Sequence, residues 1–188
     1  MNYTQVFCRQ IRTRSDEHKR AITLLEHSDM PSQIVAILRQ ELDSMIRVMY
    51  LLSLSDKSRR TELIQACVEG KYWTKECSRK KITDGEMLKL ASKLHGWSGS
   101  VYRFGCGFIH LSRFHDYKER EPMDAISQEE KDNILRYMQY YHGGPHVLNL
   151  KFADLIPYLP VVFEKISGNL ESYLQDLELG KSLDDDEY

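Results

Sequence analysis

Long apolar runs are missing from this chain. None of its 188 residues falls in a stretch approaching the roughly 20 apolar residues that a bilayer crossing needs. The N-terminal segment MNYTQVFCRQIRTRSDEHKR has no apolar signal core, so nothing in it directs the chain out of the cell. Cysteine is sparse: Cys8, Cys67, Cys77 and Cys106 form no CxxC pair and no disulfide framework, which suits a reducing cytoplasm. P-loop, GxSxG, GxGxxG and HExxH patterns are absent, which removes the function classes those motifs define. No Asn-Gly or Asp-Gly turn sits between alternating strands, and Asp84-Gly85 lies in a helix start instead.

What is present is helical period. From Pro31, Ile34, Leu38, Leu42, Met45, Met49 and Leu52 recur at three- and four-residue steps, and the second half of that run is apolar nearly all round, as in a central bundle helix. Thr83-Asp-Gly-Glu86 and Ser127-Gln-Glu-Glu130 are capping boxes. The first opens a helix that stops at Gly96, and the second one that stops at Gly143-Gly144-Pro145. A last long helix begins near Pro157 or Pro160 and turns Phe163, Ile166, Leu170, Tyr173 or Leu174, and Leu177 inward. Residues 17–27 read as a short amphipathic helix, and 56–81 as one broken helix or two around Gly70. With 41% apolar and 29% charged residues, the chain has material for one core and too little for two. The expected fold is all-α, a single-domain antiparallel helical bundle of five to seven helices. It comprises an N-terminal arm over 1–16, the bundle over 17–179, and an acidic, disordered tail over 180–188.

Net charge is only −2, but residues 57–81 hold eight Lys or Arg against three Glu, and residues 154–188 hold two basic against nine acidic residues. Such asymmetry bears on partners. The run KYWTKECSRKK at 71–81 combines phosphate-neutralising Lys75, Arg79, Lys80 and Lys81 with Tyr72 and Trp73, whose rings can stack on unpaired bases. The competing reading is a solvated helix face with Trp73 half-buried. A negative tail could shield the positive run in the free protein.

The stretch VYRFGCGFIHLSRFHDY at 101–117 carries the sharpest candidate. Read as one helix, at about 100° per residue, it places Arg103 and His110 within roughly 20° of each other. Val101, Phe104, Phe108 and Leu111 form a core stripe, while Arg103, Cys106, Gly107, His110 and Tyr117 form a second column. Gly105 and Gly107 each cost a helix about 1 kcal/mol relative to alanine, a cost usually offset by close backbone approach or a kink. Arg103-x6-His110 resembles the R-x(4–6)-H motif of the HEPN superfamily, small helical bundles that include metal-independent RNases of bacterial defence and toxin systems. Phe108-Ile109-His110-Leu111-Ser112 also resembles such domains. The likeness covers the helical plan over about 30–145, with Phe104 where the family usually has a polar residue.

The resemblance implies a metal-independent endoribonuclease acting on single-stranded RNA, as effector or toxin, and typically a homodimer. RNA carries its own nucleophile, the 2′-OH, so no metal or cofactor is required. Imidazole can take or deliver a proton near neutrality, and guanidinium can hold the scissile phosphate. The products would be a 2′,3′-cyclic phosphate and a 5′-OH. Arg12/His18, Arg20/His27 and Arg136/His142 fit the same spacing, the first two in a charged segment expected to be solvated. Cys106 and His110, four apart, suit two metal ligands, with His115 and His142 as conceivable partners, but no second close pair supports them. Glu41 and Asp43 face opposite sides of their helix, whereas Arg39, Asp43 and Arg47 share a face as surface or interhelical ion pairs. The alternative to the nuclease is a non-catalytic module that uses the bundle, the tyrosine-rich RYMQYYHGG segment and the tail to bind a partner protein or RNA.

Overall fold

Alpha-helix accounts for the fold, as the periodicity requires. The structure is a computed structural model, described over residues 2–183. Seven helices of at least 11 residues follow in order: α1 Tyr3–Leu25, α2 Pro31–Leu52, α3 Lys57–Val68, α4 Asp84–Leu94, α5 Ser98–Ile109, α6 Gln128–His142 and α8 Leu159–Glu178. The single turn Phe152–Leu155 is α7. Among the described residues, the extended pairing is limited to one isolated antiparallel bridge, Thr74 to Lys81.

Helix α2 is the hub, with α8, α5 and α4 packed around it and α1 alongside. Leu42, Met45, Ile46, Val48, Met49 and Leu51 have no solvent exposure, which is why its second half can be apolar on every side. Local signals start and stop the helices. Pro160 lies in the first turn of α8, where a missing N–H costs nothing. Thr83 and Glu86 form the capping box of α4. Ser127 accepts the Glu130 N–H at 3.2 Å to open α6, and Gly143 ends it with φ 72°, a left-handed conformation that favours glycine. The expected stop at Gly96 falls two residues earlier: α4 ends at Leu94, and Gly96 gives way to the Tyr137 phenol, whose oxygen would lie 2.5 Å from a Cβ there.

Two expectations are corrected at the N-terminus. Within the expected arm over 1–16, residues 3–16 are helical, and the helix does not begin at 17; α1 is continuous over 23 residues. Its inward stripe, Phe7, Cys8, His18 and Ile22, is interrupted by polar residues that are themselves satisfied inside. Glu41 of α2, fully buried, accepts from the Ser15 hydroxyl and meets His18 Nδ1 at 2.7 Å. Arg12 clamps Glu171 and Glu178 of α8 at 2.9 and 2.8 Å. Burial, chiefly, also pushes the Cys8 thiol up to about 12, so it is an inert packing group.

At the other end, residues 181 and 182 are anchored: buried Arg60 donates to the Lys181 carbonyl at 2.6 Å and to the Ser182 hydroxyl at 2.9 Å. The expected tail therefore does not begin at 180, and its acidic part, 184–188, lies outside the described residues.

Leaving a buried polar group without its hydrogen-bond partner costs about 1–3 kcal/mol. His18→Ala is expected to lower stability by about 2 kcal/mol in urea unfolding. His27→Ala, whose side chain is 84% exposed, should change it by less than about 0.5 kcal/mol. Equal effects would remove the buried pair from the account.

Candidate functional site

The column expected along 101–117 is broken by the end of α5. The helix runs only to Ile109, and His110 has an extended backbone, φ −98° and ψ 141°. Local chemistry explains the stop. The Ser112 hydroxyl donates to the Gly107 carbonyl at 2.6 Å and accepts the Phe114 N–H at 3.1 Å, satisfying groups that the helix end leaves open. The Phe114 ring then folds back onto Gly107, where a Cβ would meet it at 2.8 Å. Phe114 joins Phe104, Phe108, Tyr117 and Phe152 in an aromatic cluster, with Phe108 stacked on Phe152 at 5.2 Å. Gly105 is also a close-approach glycine: a Cβ there would sit 2.6 Å from Arg39 Cβ of α2. Both glycines thus serve packing, and neither opens room for a substrate.

This has three consequences for the expected column. Leu111 leaves the core stripe and is 95% exposed. Tyr117 packs edge-on against Phe152 at 5.6 Å instead of joining the column. Arg103 and His110 are both exposed, with His110 the last residue before the chain leaves the helix axis. Arg103 turns toward the start of α5, where its Nη1 lies 3.1 Å from the position of a Gly99 Cβ, and its Nη2 bonds Glu130 Oε2 of α6 at 2.6 Å. Glu130 is drawn to this guanidinium and does not complete the expected capping box of α6. The His110 ring has no hydrogen-bond partner among the described residues. It lies between Ile109, 41% exposed, and Leu111. Arg103 and His110 are therefore both open to solvent, Arg103 bonded to Glu130 and His110 without a hydrogen bond among the described residues.

The basic segment is not a helix either. After α3 ends, Gly70 takes φ 70°, and residues 71–82 form a loop closed by the Thr74–Lys81 bridge. Trp73 is 5% exposed, stacked on Tyr50 at 6.1 Å with Arg47 5.6 Å from its ring, so it cannot receive a base. Lys75 is held by Glu86, whose carboxyl that hydrogen bond and the Thr83 N–H hold down to about 2. Lys71 is paired with Glu69 at 2.6 Å. Arg60 is buried, and Arg59 is tied to Glu62 and the Thr74 carbonyl. What stays outward is Tyr72, 74% exposed with Lys81 Nζ 3.3 Å above its ring, together with Arg79 and Lys80, exposed and in no ion pair among the described residues. The local charge excess is real in the sequence, but Arg59, Lys71 and Lys75 are engaged in holding the loop to its neighbours and Arg60 is buried.

Among the described residues no three His, Cys, Asp or Glu side chains are grouped to hold a metal ion. His115 Nδ1 instead accepts the Ser112 N–H at 3.4 Å. Arg136 bonds Asn133 at 2.7 Å, away from any role with His142. Arg39, Asp43 and Arg47 do form ion pairs, extended by Asp84 of α4: Arg47 reaches Asp43 at 2.9 Å and Asp84 at 3.0 Å. Arg39 is buried and stacks over Tyr102 of α5 at 3.7 Å, so the network ties three helices together beneath the surface.

Sequence reasoning missed a concave feature. An apolar cavity of about 80 Å³ lies where α2, α5, α6 and α8 meet, and Lys165 and His142 are among its lining residues. Periodicity marks each wall as apolar but cannot show that the walls leave a gap.

Comparison of the chain with protein-family models, curated proteins and solved structures finds no match.

Two histidines here are held below the ordinary histidine range. For His95 and for His142 the larger cause is burial and the second is the positive charge of Lys165. His95 Nε2 also meets the Tyr173 hydroxyl at 2.7 Å. A lowered folded-state value means that the unfolded chain binds protons first as pH falls. Stability is therefore expected to decline as pH drops below about 6.5, then level off once the folded-state values are passed. Urea midpoints between pH 7.5 and 5 measure this, and H95Q/H142Q should flatten the decline. An equal decline in that variant would contradict the assignment.

Proposed function

We propose that the chain is a HEPN-like, metal-independent endoribonuclease for single-stranded RNA, inactive as a single copy and completed by a second. The observation carrying this reading is the state of His110, an exposed imidazole without a hydrogen-bond partner among the described residues, flanked by the exposed apolar side chains of Ile109 and Leu111. An apolar rim around an unengaged titratable group suits a surface that another copy covers. Two copies packed antiparallel along the outward face of α5 would bring Arg103 of one opposite His110 of the other. A two-fold axis then supplies two imidazoles, one to accept the 2′-OH proton and one to protonate the departing 5′-oxygen.

The Arg103–Glu130 ion pair is no obstacle to this. Arg103 is 58% exposed, and ion pairs with an exposed partner contribute about 0–1 kcal/mol, so an RNA phosphate can compete for the guanidinium. Tyr72 with Lys81, and the free Arg79 and Lys80, supply a stacking surface and phosphate contacts for the strand. Trp73 and Lys75 have no part in it. As effector or toxin, such an enzyme would be controlled by whatever governs pairing of the copies. The second reading is a non-catalytic interaction module. It is favoured by the hydrogen bond that already occupies Arg103.

The test uses a labelled single-stranded RNA in the presence of EDTA. The wild type is expected to yield cyclic-phosphate ends, and His110→Ala to lose at least a hundredfold in rate, the ordinary contribution of a general acid or base. Glu130→Gln, which releases Arg103, should tighten RNA binding severalfold at low salt. No cleavage by wild-type dimer, or full activity in His110→Ala, leaves the interaction module.

A further inference from the structure

The cavity between α2, α5, α6 and α8 has the composition of a small-molecule site. Its inner walls are aliphatic and aromatic, with Leu38, Phe104, Met138 and Ile166 among them. Sites for small ligands are typically apolar recesses with a few polar groups placed to orient the occupant. Here the polar group at the cavity is Lys165 of α8. Its Nζ lies 3.7 Å from the centre of the Tyr141 ring and 5.7 Å from that of Trp97, and it is in no ion pair or hydrogen bond among the described residues. Most other partly buried cations of this protein have a carboxylate. Arg12, Arg39, Arg47 and Lys181 all do.

A lysine cradled by two aromatic faces is held in position without being neutralised, because ring faces attract the cation but carry no net charge. Burial alone pushes the Lys165 amine below the ordinary lysine range, as expected of a cation lacking a counter-ion. His142, beside it in the same wall, is also shifted toward its neutral form and does not supply the missing anion. Trp97, 5% exposed, also lines the recess. The lining therefore places an uncompensated cation beside an apolar recess.

We infer that this recess binds a compact monocarboxylate, its short branched or cyclic hydrocarbon body between α5, α6 and α8 and its carboxylate on Lys165. Size supports a small occupant. An engineered apolar cavity of about 150 Å³ holds benzene, and the recess here, about 80 Å³, admits the end of a branched chain or the edge of a ring while the head stays at the opening. A carboxylate is the acceptor-only group that answers an ammonium. A primary amine would meet repulsion from Lys165, and a neutral alcohol would fill the recess without answering the charge. Trp97 leads into α5 and Phe104 belongs to it, so occupancy would brace the same helix whose end presents His110. The binding inference nevertheless stands on the cavity and Lys165 alone and does not rest on the nuclease reading.

The probe is 4-methylpentanoate, followed by ¹H–¹⁵N correlation spectra of the full chain. The two indole Nε1–H peaks report separately, since Trp97 lines the recess and Trp73 does not. The expected result is a saturable shift of the Trp97 peak with the Trp73 peak unmoved, at a dissociation constant on the order of 1 mM, typical for so few atoms. Lys165→Met keeps the apolar stem and removes the charge. It is expected to weaken 4-methylpentanoate at least tenfold and to change binding of neutral 4-methylpentan-1-ol less than twofold, with an unaltered ligand-free spectrum showing that the fold is kept. Absence of a saturable shift, or equal acid binding in Lys165→Met, overturns the inference. So does a Trp73 shift that follows the same curve as Trp97.

Discussion

The contact that decides what this protein can do is the seat of the Phe114 ring on Gly107. Together with the Ser112 hydroxyl on the Gly107 carbonyl, it ends α5 at Ile109 and commits residues 113–117 to the aromatic cluster around Phe108. A helix that continued would have kept Leu111 on the core stripe and brought Tyr117 to the Arg103 face. The one that stops leaves Arg103 turned back toward Gly99 and His110 as the last residue before the chain turns away. On the proposed reading, chemistry using both groups depends on where a second copy places its own α5.

The rest of the bundle makes that end rigid. Helix α2 is buried along most of its length, and its polar residues are sorted by side. Glu41 faces α1 and satisfies Ser15 and His18. Asp43, with Arg39 and Arg47, engages Asp84 at the start of α4. Arg39 also supports α5 from below, its side chain under Gly105 and its guanidinium on Tyr102. Buried polar groups with partners fix orientation where apolar contacts alone would allow sliding. The position of α5, and so of its exposed end, is set largely by buried Arg39 and the helices packed around it.

How much of this could be read from the sequence follows from what each signal measures. Apolar steps such as Leu38–Leu42–Met45–Met49 gave α2, and Thr83 and Gly143 marked a start and a stop, because periodicity and capping are local properties. Helix α1 was obscured since its inward stripe runs through Ser15 and His18, which look solvated until Glu41 is seen opposite. His110 was placed on the helix because nothing local warns that Ser112 will cap it and Phe114 will fold back. Trp73 was offered to bases although Tyr50 and Arg47, more than twenty residues away in sequence, bury it. The Lys165 recess is assembled from four separate segments, and no single window contains it.

Mixing wild-type and His110→Ala chains tests most directly whether the site is shared between copies. The two are combined in equal amounts under conditions where copies exchange, and RNA cleavage is measured against the same total amount of wild type. A site that needs an imidazole from each copy predicts roughly a quarter of wild-type activity, since only a quarter of random pairs keep both. Half of wild-type activity, in demonstrated mixed dimers, contradicts the account.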